Sequence, residues 1–187
     1  MGKLIYSMLV SLDGYVADAH GRFGWATPDD EVHDYATERL AGVRTYLYGR
    51  RMYETMVYWE TASTAPGAEP SSAAFARQWQ AADKVVYSTT LAAPRSARTR
   101  VERAFEPEAV RRLKADTDGD LSVNGPGLAA HALRAGLVDA VEPIVFPVVV
   151  GGGTRFFPDG VQLELALHDT RRFERGTVAL RYAVHGV

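Results

Sequence analysis

Thr45-Tyr46-Leu47-Tyr48-Gly49-Arg50-Arg51-Met52-Tyr53-Glu54 is an apolar, strand-forming run that passes through one glycine into two arginines and the start of a helix. Such a turn offers backbone N–H groups and a planar cation to an anionic group, and glycine lets the chain approach that group without a Cβ. Phosphate is the natural ligand class. The same residues also suit a plain strand-to-helix turn with a solvated arginine pair, so the reading depends on what the rest of the chain supplies.

The chain has 187 residues, 47% of them apolar and 24% charged, which fits one domain with an ordinary hydrophobic core. A net charge of -2 gives no general attraction to a polyanion, so nucleic acid is not expected as a partner. With no cysteine, disulfides, thiolate metal sites and cysteine nucleophiles are excluded, and a reducing cytoplasm is compatible. Met1-Gly2-Lys3 leads straight into a strand-like run, not into a secretion signal. The longest apolar stretch, from Val138 to Val150, is interrupted by Asp139, Glu142, Pro143 and Pro147, so no membrane span is expected.

Strands and helices alternate along the chain. Leu4 to Val10 reads as the first strand, ended by the turn residues Ser11-Leu12-Asp13-Gly14. Thr27-Pro28-Asp29-Asp30 reads as a helix start in which Thr27 caps and Asp30 completes a capping box, followed by Val32, Tyr35, Ala36, Leu40 and Val43 at helical spacing. Residues 60 to 72 read as a polar loop or flap, and the next helix carries Phe75 and Trp79 as a core pair. Lys84 to Ser88 is another strand; the arginines at 95, 98, 100 and 103 suit either a phosphate site or a solvated strand face. A helix over Pro107 to Ala115 and a strand over Leu121 to Val123 precede a second glycine turn, Asn124-Gly125-Pro126-Gly127, which opens a helix ending near Gly136. Val141 to Val150 is predicted as one buried strand, and alternation around Leu163 to Leu167 and Val178 to Val184 predicts an antiparallel terminal pair. The fold class is α/β, a mostly parallel central sheet with an antiparallel C-terminal hairpin.

Several chemistries drop out. No serine sits in a Gly-x-Ser-x-Gly elbow, the five histidines lack metal-site spacing, and no Gly-x-x-x-x-Gly-Lys-Ser/Thr loop is present. Gly125-Pro126-Gly127-Leu128-Ala129-Ala130 matches Gly-x-Gly-x-x-Ala, yet the acidic residue of a standard dinucleotide site is not found about 20 positions later. What remains is two glycine turns at strand ends, one bearing arginine, able to hold two phosphate-bearing parts of one dinucleotide.

Ser11-Leu12-Asp13-Gly14-Tyr15-Val16-Ala17, Gly49-Arg50-Arg51-Met52-Tyr53-Glu54, Asn124-Gly125-Pro126-Gly127 and Pro147-Val148-Val149-Val150-Gly151-Gly152-Gly153 occur in this order. Together they resemble the dihydrofolate reductase-like superfamily, and most closely the reductase domain of the bacterial riboflavin biosynthesis deaminase-reductase and its stand-alone relatives. The resemblance covers nearly the whole chain. It implies a three-layer fold, a cytoplasmic NADPH-dependent reductase, a small heterocyclic substrate and a homodimer formed through the sheet-end strands. In that reading Gly49, Arg50 and Arg51 meet the 2'-phosphate of NADPH, Ser88 and Thr89 help to hold the adenosine half, and Gly125, Pro126 and Gly127 form the pyrophosphate turn. Asp30 matches the lone active-site carboxylate of dihydrofolate reductases, although it equally completes a helix cap. Asp13 can approach the nicotinamide or serve only the turn before Gly14, and Trp25 can wall the substrate pocket or simply pack.

Two departures bear on the substrate. Where dihydrofolate reductases carry an arginine for the folate tail, this chain has Ala81-Ala82-Asp83-Lys84, and Val145-Phe146-Pro147 lacks the threonine that partners their carboxylate. A pyrimidine resembling the riboflavin intermediate is therefore favoured over a folate or pteridine. A non-catalytic nucleotide-binding module and a flavin-binding domain are the competing readings.

Overall fold

The computed structural model describes residues 2–62 and 70–185. Its elements are β1 (Leu4–Ser11), β2 (Tyr15–Ala17), α1 (Asp30–Arg39), β3 (Val43–Gly49), α2 (Arg50–Met56), α3 (Trp59–Ala62), α4 (Pro70–Ala81), β4 (Asp83–Tyr87), β5 (Thr99–Glu102), α5 (Pro107–Asp116), β6 (Asp120–Asn124), α6 (Pro126–Arg134), β7 (Ala140–Phe146), β8 (Thr154–Arg155), β9 (Glu164–Arg172) and β10 (Val178–His185). Most strands form one eight-stranded sheet in the order β5-β4-β3-β6-β1-β7-β10-β9. The six strands from β5 to β7 are parallel, and β10 and β9 close the sheet with antiparallel pairings. This is the mostly parallel sheet with an antiparallel end that the residue pattern predicts.

The central strands are buried on both faces, which is why they read as apolar runs without a clean period of two. Leu47, Val85 and Val123 pack with Val110 of α5 and Leu128, Ala129 and Leu133 of α6. Their neighbours Tyr46, Tyr48 and Val86 turn to the other face, against Tyr53 of α2 and Phe75 and Trp79 of α4. Farther along that face, Val32 and Tyr35 of α1 meet Ile144, Phe146 and Ala179. Phe75 and Trp79 are the core pair that their spacing implies, and the Trp79 indole donates to the Tyr48 hydroxyl at 2.9 Å.

Two buried lysines hold the amino-terminal edge of the sheet. Lys84 donates to the carbonyls of Trp79 and Ala82 where α4 ends, and Lys114 donates to the Leu137 carbonyl and pairs with Asp139. Cations suit such carbonyl-rich helix ends.

Local boundaries differ from the predicted ones for identifiable reasons. The N-cap of α1 is Asp29, whose carboxylate accepts from the Val32 amide at 3.1 Å. Thr27 instead donates to the Gly24 carbonyl, leaving Asp30 as the first helical residue and not the closing member of a capping box. Asp caps at least as well as Thr, so the later residue wins. Of the predicted 60 to 72 loop, residues 59–62 are α3, Pro70 already begins α4, and 63–69 lie outside the described residues. The strand expected to run from Val141 to Val150 stops at Phe146, and Val149 is exposed. Because β7 lies between β1 and β10, its apolar residues fill the sheet interior and offer no free edge to a second copy.

The β7–β10 pairing is Val145 with Val178, Ile144 with Ala179, Val141 with Tyr182 and Ala140 with Ala183. The gap between Ile144 and Val141 brackets Pro143, which has no N–H for a ladder. An ionic network spans this gap: the buried Glu142 carboxylate accepts from Arg181 at 3.1 Å and from Arg39 of α1 at 3.3 Å, and Arg181 also reaches Asp169 of β9 at 3.4 Å. Removing the shared anion leaves two half-buried guanidinium groups facing each other. Glu142→Ala should lower stability by about 2–4 kcal/mol, the cost of breaking a buried pair reduced for the partial exposure of the arginines. Urea denaturation tests this: a loss below about 1 kcal/mol would show that the network is peripheral to the fold.

Candidate functional site

Parallel strands deliver their carboxyl ends to one edge of the sheet, and ligands of open α/β sheets bind outside that edge. Here it collects Ser11, Gly49, Tyr87, Asn124 and Phe146. The register sets Tyr48 beside Asn124 and Gly49 beside Tyr87, so the turns at Gly49 and Gly125, remote in sequence, become neighbours.

Gly125 has φ +92°, a conformation that favours glycine, and a Cβ placed there would stand 3.1 Å from the Met52 Cβ of α2. A Cβ on Gly49 would lie 3.9 Å from Leu128 Cβ on α6, so the two helix starts are packed together. Pro126 takes the first position of α6, where its missing N–H costs nothing, and no side chain caps this helix. Its first amide bond inside the helix runs from Ala129 to the Gly125 carbonyl, which leaves the Gly127 and Leu128 amides directed out of the turn. Gly127 is exposed with open space around its Cα. This geometry suits an anion: a helix N-terminus presented without side-chain obstruction.

Beside it stands Arg50, the first residue of α2. Its Nε donates to Glu54 at 2.8 Å and its Nη1 to the Thr90 hydroxyl at 2.7 Å, so its head is held over the loop that follows β4. Arg51 is exposed on the same helix. Ser88 is buried, and its hydroxyl accepts from the amides of Thr90 and Leu91 at 3.2 and 3.0 Å; it shapes the loop, while Thr89 and Thr90 are exposed. The structure thus brings Gly49, Arg50, Arg51, Ser88, Thr89, Gly125, Pro126 and Gly127 to the carboxyl edge of three adjacent strands, β4, β3 and β6. Sequence reading missed Thr90 and the row of rings Tyr87, Phe105 and His131, spaced 5.3 and 5.7 Å, which links the end of β4 to α6. Only the proximity of Thr90 to the end of β4 pointed to it. Residues 87, 105 and 131 have no sequence relation to one another.

The carboxylates are placed differently from each other. Asp13 accepts from the Ser11 hydroxyl at 2.6 Å, the Gly151 amide at 2.8 Å and the Val150 amide at 3.2 Å. The Ser11 hydroxyl above all, and then these amides, hold its carboxyl below the ordinary aspartate range despite some desolvation. With the Leu12 amide bonded to the Val148 carbonyl and the Phe156 amide to the Gly14 carbonyl, Asp13 latches the loop after β1 to the glycine loop after β7. Asp30 is exposed at the start of α1, with the Ser71 hydroxyl of α4 at 3.5 Å from its carboxylate. Trp25 is half-buried against the cluster that holds Ala26, Val32 and Phe146, and its indole donates to the Arg22 carbonyl. Lys84, near the place of the folate-tail arginine, has its ammonium enclosed by carbonyls at the opposite edge of the sheet and is unavailable to a carboxylate ligand. Among the described residues no cluster of His, Asp and Glu suits a metal ion, and no helix is long and apolar enough to cross a membrane.

Several solved structures are similar to the chain over nearly its whole length. A putative riboflavin biosynthesis protein from Shewanella sp. PV-4 is 19% identical over 98% of this chain and 99% of its own, with a TM-score of 0.76. The Thermotoga maritima diaminohydroxyphosphoribosylaminopyrimidine deaminase/5-amino-6-(5-phosphoribosylamino)uracil reductase is 15% identical with a TM-score of 0.68; 98% of this chain covers 57% of that longer protein. Dihydrofolate reductase from Enterococcus faecalis, complexed with NADP(H), is 12% identical over 99% of this chain and 98% of its own, with a TM-score of 0.62. These likenesses fix the fold as dihydrofolate reductase-like. Among proteins with curated descriptions none matches the sequence. Residues 2–179 match the model of the RibD C-terminal domain, nearly the full length, and the chain therefore belongs to that family.

Proposed function

We propose that this protein is an NADPH-dependent reductase that delivers hydride to a small heterocycle, a pyrimidine resembling 5-amino-6-(5-phosphoribosylamino)uracil. The observation that carries this reading is the pairing of the Gly125 turn with Arg50 at the ends of the adjacent strands β6 and β3, two anion-binding groups for the two phosphate-bearing parts of one dinucleotide. Bound NADPH supplies the hydride. The chain supplies the Gly127 and Leu128 amides for the pyrophosphate, the Arg50 fork for the adenosine phosphate, and the latched loops after β1 and β7 as the frame of the reactive end. The enclosed Lys84 disfavours folate as the acceptor.

One observation favours a second reading, a cofactor-binding module without catalysis: Asp30 is exposed and the Asp13 carboxylate is already satisfied by three donors. A substrate panel separates the two. The reductase oxidises NADPH with the phosphoribosylaminouracil, whereas a pure binder shows saturable NADPH binding and no oxidation with pyrimidines, pteridines or quinones. We also assign the protein to the cytoplasm and to a homodimer. Since β7 is internal, the free edge at β9 is the sheet-end strand open to a second copy, and sedimentation of a monomer at micromolar concentration would dispose of the dimer.

Arg50→Ala should weaken NADPH binding by about 1.5–3 kcal/mol, the range of a hydrogen-bonded contact to a charged group, and leave NADH nearly unaffected. Titration by cofactor fluorescence decides it, and equal losses for both cofactors would remove the 2'-phosphate from Arg50. Asp13 gives a pH signature. A carboxyl held below its ordinary value stabilises the fold fully above that ordinary value, about 3.9, and loses its contribution as pH falls from there through the lowered value. Asp13→Asn should therefore flatten the fall in melting temperature between about pH 5 and pH 3. An unchanged acid limb would show that the latch does not form in solution.

A further inference from the structure

We infer that the cavity at the carboxyl end of α6 is a second ligand site, built for a small carboxylate with an apolar, ring-sized body. The helix runs from Pro126 to Arg134, and at a rise of about 1.5 Å per residue its two ends stand roughly 12 Å apart, at opposite edges of the sheet. The site therefore shares no group with the proposed dinucleotide edge and does not rest on that reading. Its walls follow from where α6 stops. After Arg134 the chain turns at Gly136, φ +62°, and the Leu137 amide returns to the Ala132 carbonyl. The segment between β8 and β9 passes this helix end, and Arg134 fastens it by donating Nη2 to the Asp159 carbonyl at 3.3 Å. Beside both, β10 runs on to His185. These three segments leave a cavity of about 520 Å³ between them, within the range of about 300–1,000 Å³ usual for small-molecule sites.

The lining states the ligand class. Leu133 and Val138 are buried behind it, while Val161, Leu163 and Val184 line it and stay only half-buried, so a bound apolar group would take their surface out of water. One carboxylate, Asp139, is among the lining residues, and it is already engaged: its Oδ2 accepts from the Lys114 ammonium and from the Leu4 amide, both at 2.6 Å. Glu164, opposite His185 in the strand register, lies outside the lining. Arg134 has no ion pair among the described residues and, being exposed, keeps the rest of its guanidinium fork for a ligand. The last turn of α6 opposes an anion with about half a negative charge, against the full positive charge of Arg134. Exposed Gln162 and His185 add hydrogen-bonding groups at the rim. An unneutralised planar fork beside apolar walls selects a carboxylate over a neutral or cationic group of the same shape.

The test is an amide NMR titration of the full chain with indole-3-propionate and its neutral match, indole-3-propionamide, on wild type, Arg134→Gln and Gln162→Glu. Glutamine at 134 keeps an N–H for the Asp159 carbonyl and removes the cation; glutamate at 162 keeps the shape of the rim and adds an opposing charge. In wild type both probes should give saturable shifts centred on Gly136, Gly160 and Val184. The carboxylate should bind about fivefold tighter than the amide, the scale of one charge-assisted contact reduced for its exposure. Each variant should erase most of that preference while amide affinity stays within about twofold. Absence of saturable shifts at these residues with millimolar probe, or shifts centred instead on Gly125 and Gly127, would overturn the site. A fivefold preference retained in both variants would overturn its assignment to an anion held by Arg134. Should Arg134→Gln fail to fold, Gln162→Glu alone decides.

Discussion

The close approach of α2 to the turn after β6 is the constraint on which the functional edge depends. It follows from the parallel pairing of β3 with β6, which sets the two strand ends level and forces Met52 against the backbone at residue 125. A side chain at Gly125 would meet Met52 and would have to adopt a positive φ as well, so the position excludes other residues twice over. Once the turns are level, the start of α6 and the start of α2, which carries Arg50, lie side by side at one edge of the sheet without further adjustment. The chemistry of this edge is thus a by-product of sheet register. A slip of β3 against β6 would separate Arg50 from the Gly125 turn and turn the apolar residues of β3 to the wrong faces together.

The opposite edge shows the same economy with different residues. Lys84 and Lys114 satisfy carbonyls where helices end, so the amino edge of the sheet closes on internal donors, while the carboxyl edge leaves the amides of α6 uncapped. That asymmetry separates a structural edge from the candidate binding edge. It also explains why a lysine near the place of a folate-tail arginine does nothing comparable here: its ammonium is pulled below the ordinary lysine range by burial and is spent on main-chain oxygens.

Much of this was legible in the sequence because it was written locally. The glycine turns at 49 and 125 carry their own punctuation, the helix over 107 to 115 has proline at its start, and the terminal strands alternate. The end of β7 was not legible, since Val148, Val149 and Val150 continue an apolar run that only the loss of a neighbouring strand interrupts. The cap of α1 was misplaced by two residues because Thr27 and Asp29 are both good caps and only the tertiary position of Gly24 claims the threonine. Asp13 could not be read as a latch, because its three donors come from residues 11, 150 and 151, brought together by β1 pairing with β7. Of the arginines at 95, 98, 100 and 103, only Arg98 and Arg100 find carboxylates among the described residues, a division set by the placement of Asp83 and Glu102.

The same distinction explains why the cofactor is easier to read here than the acceptor. Phosphates are recognised by groups that cluster at helix starts and strand ends, and such places are marked in sequence by glycine, proline and arginine. A heterocycle is recognised by the shape of a cleft, and the reactive end proposed for this chain draws on separate pieces: the latched loops, the face of α1 that carries Asp30, the start of α4 at Ser71, and Trp25. None of these pieces contacts a ligand by virtue of a motif. Exchanging a few of their side chains would alter the acceptor without disturbing β3, β6 or the turns at their ends. On the proposed reading, a fold built on this sheet can keep a dinucleotide site while its substrates diverge, since the two sites draw on different segments and different physical rules.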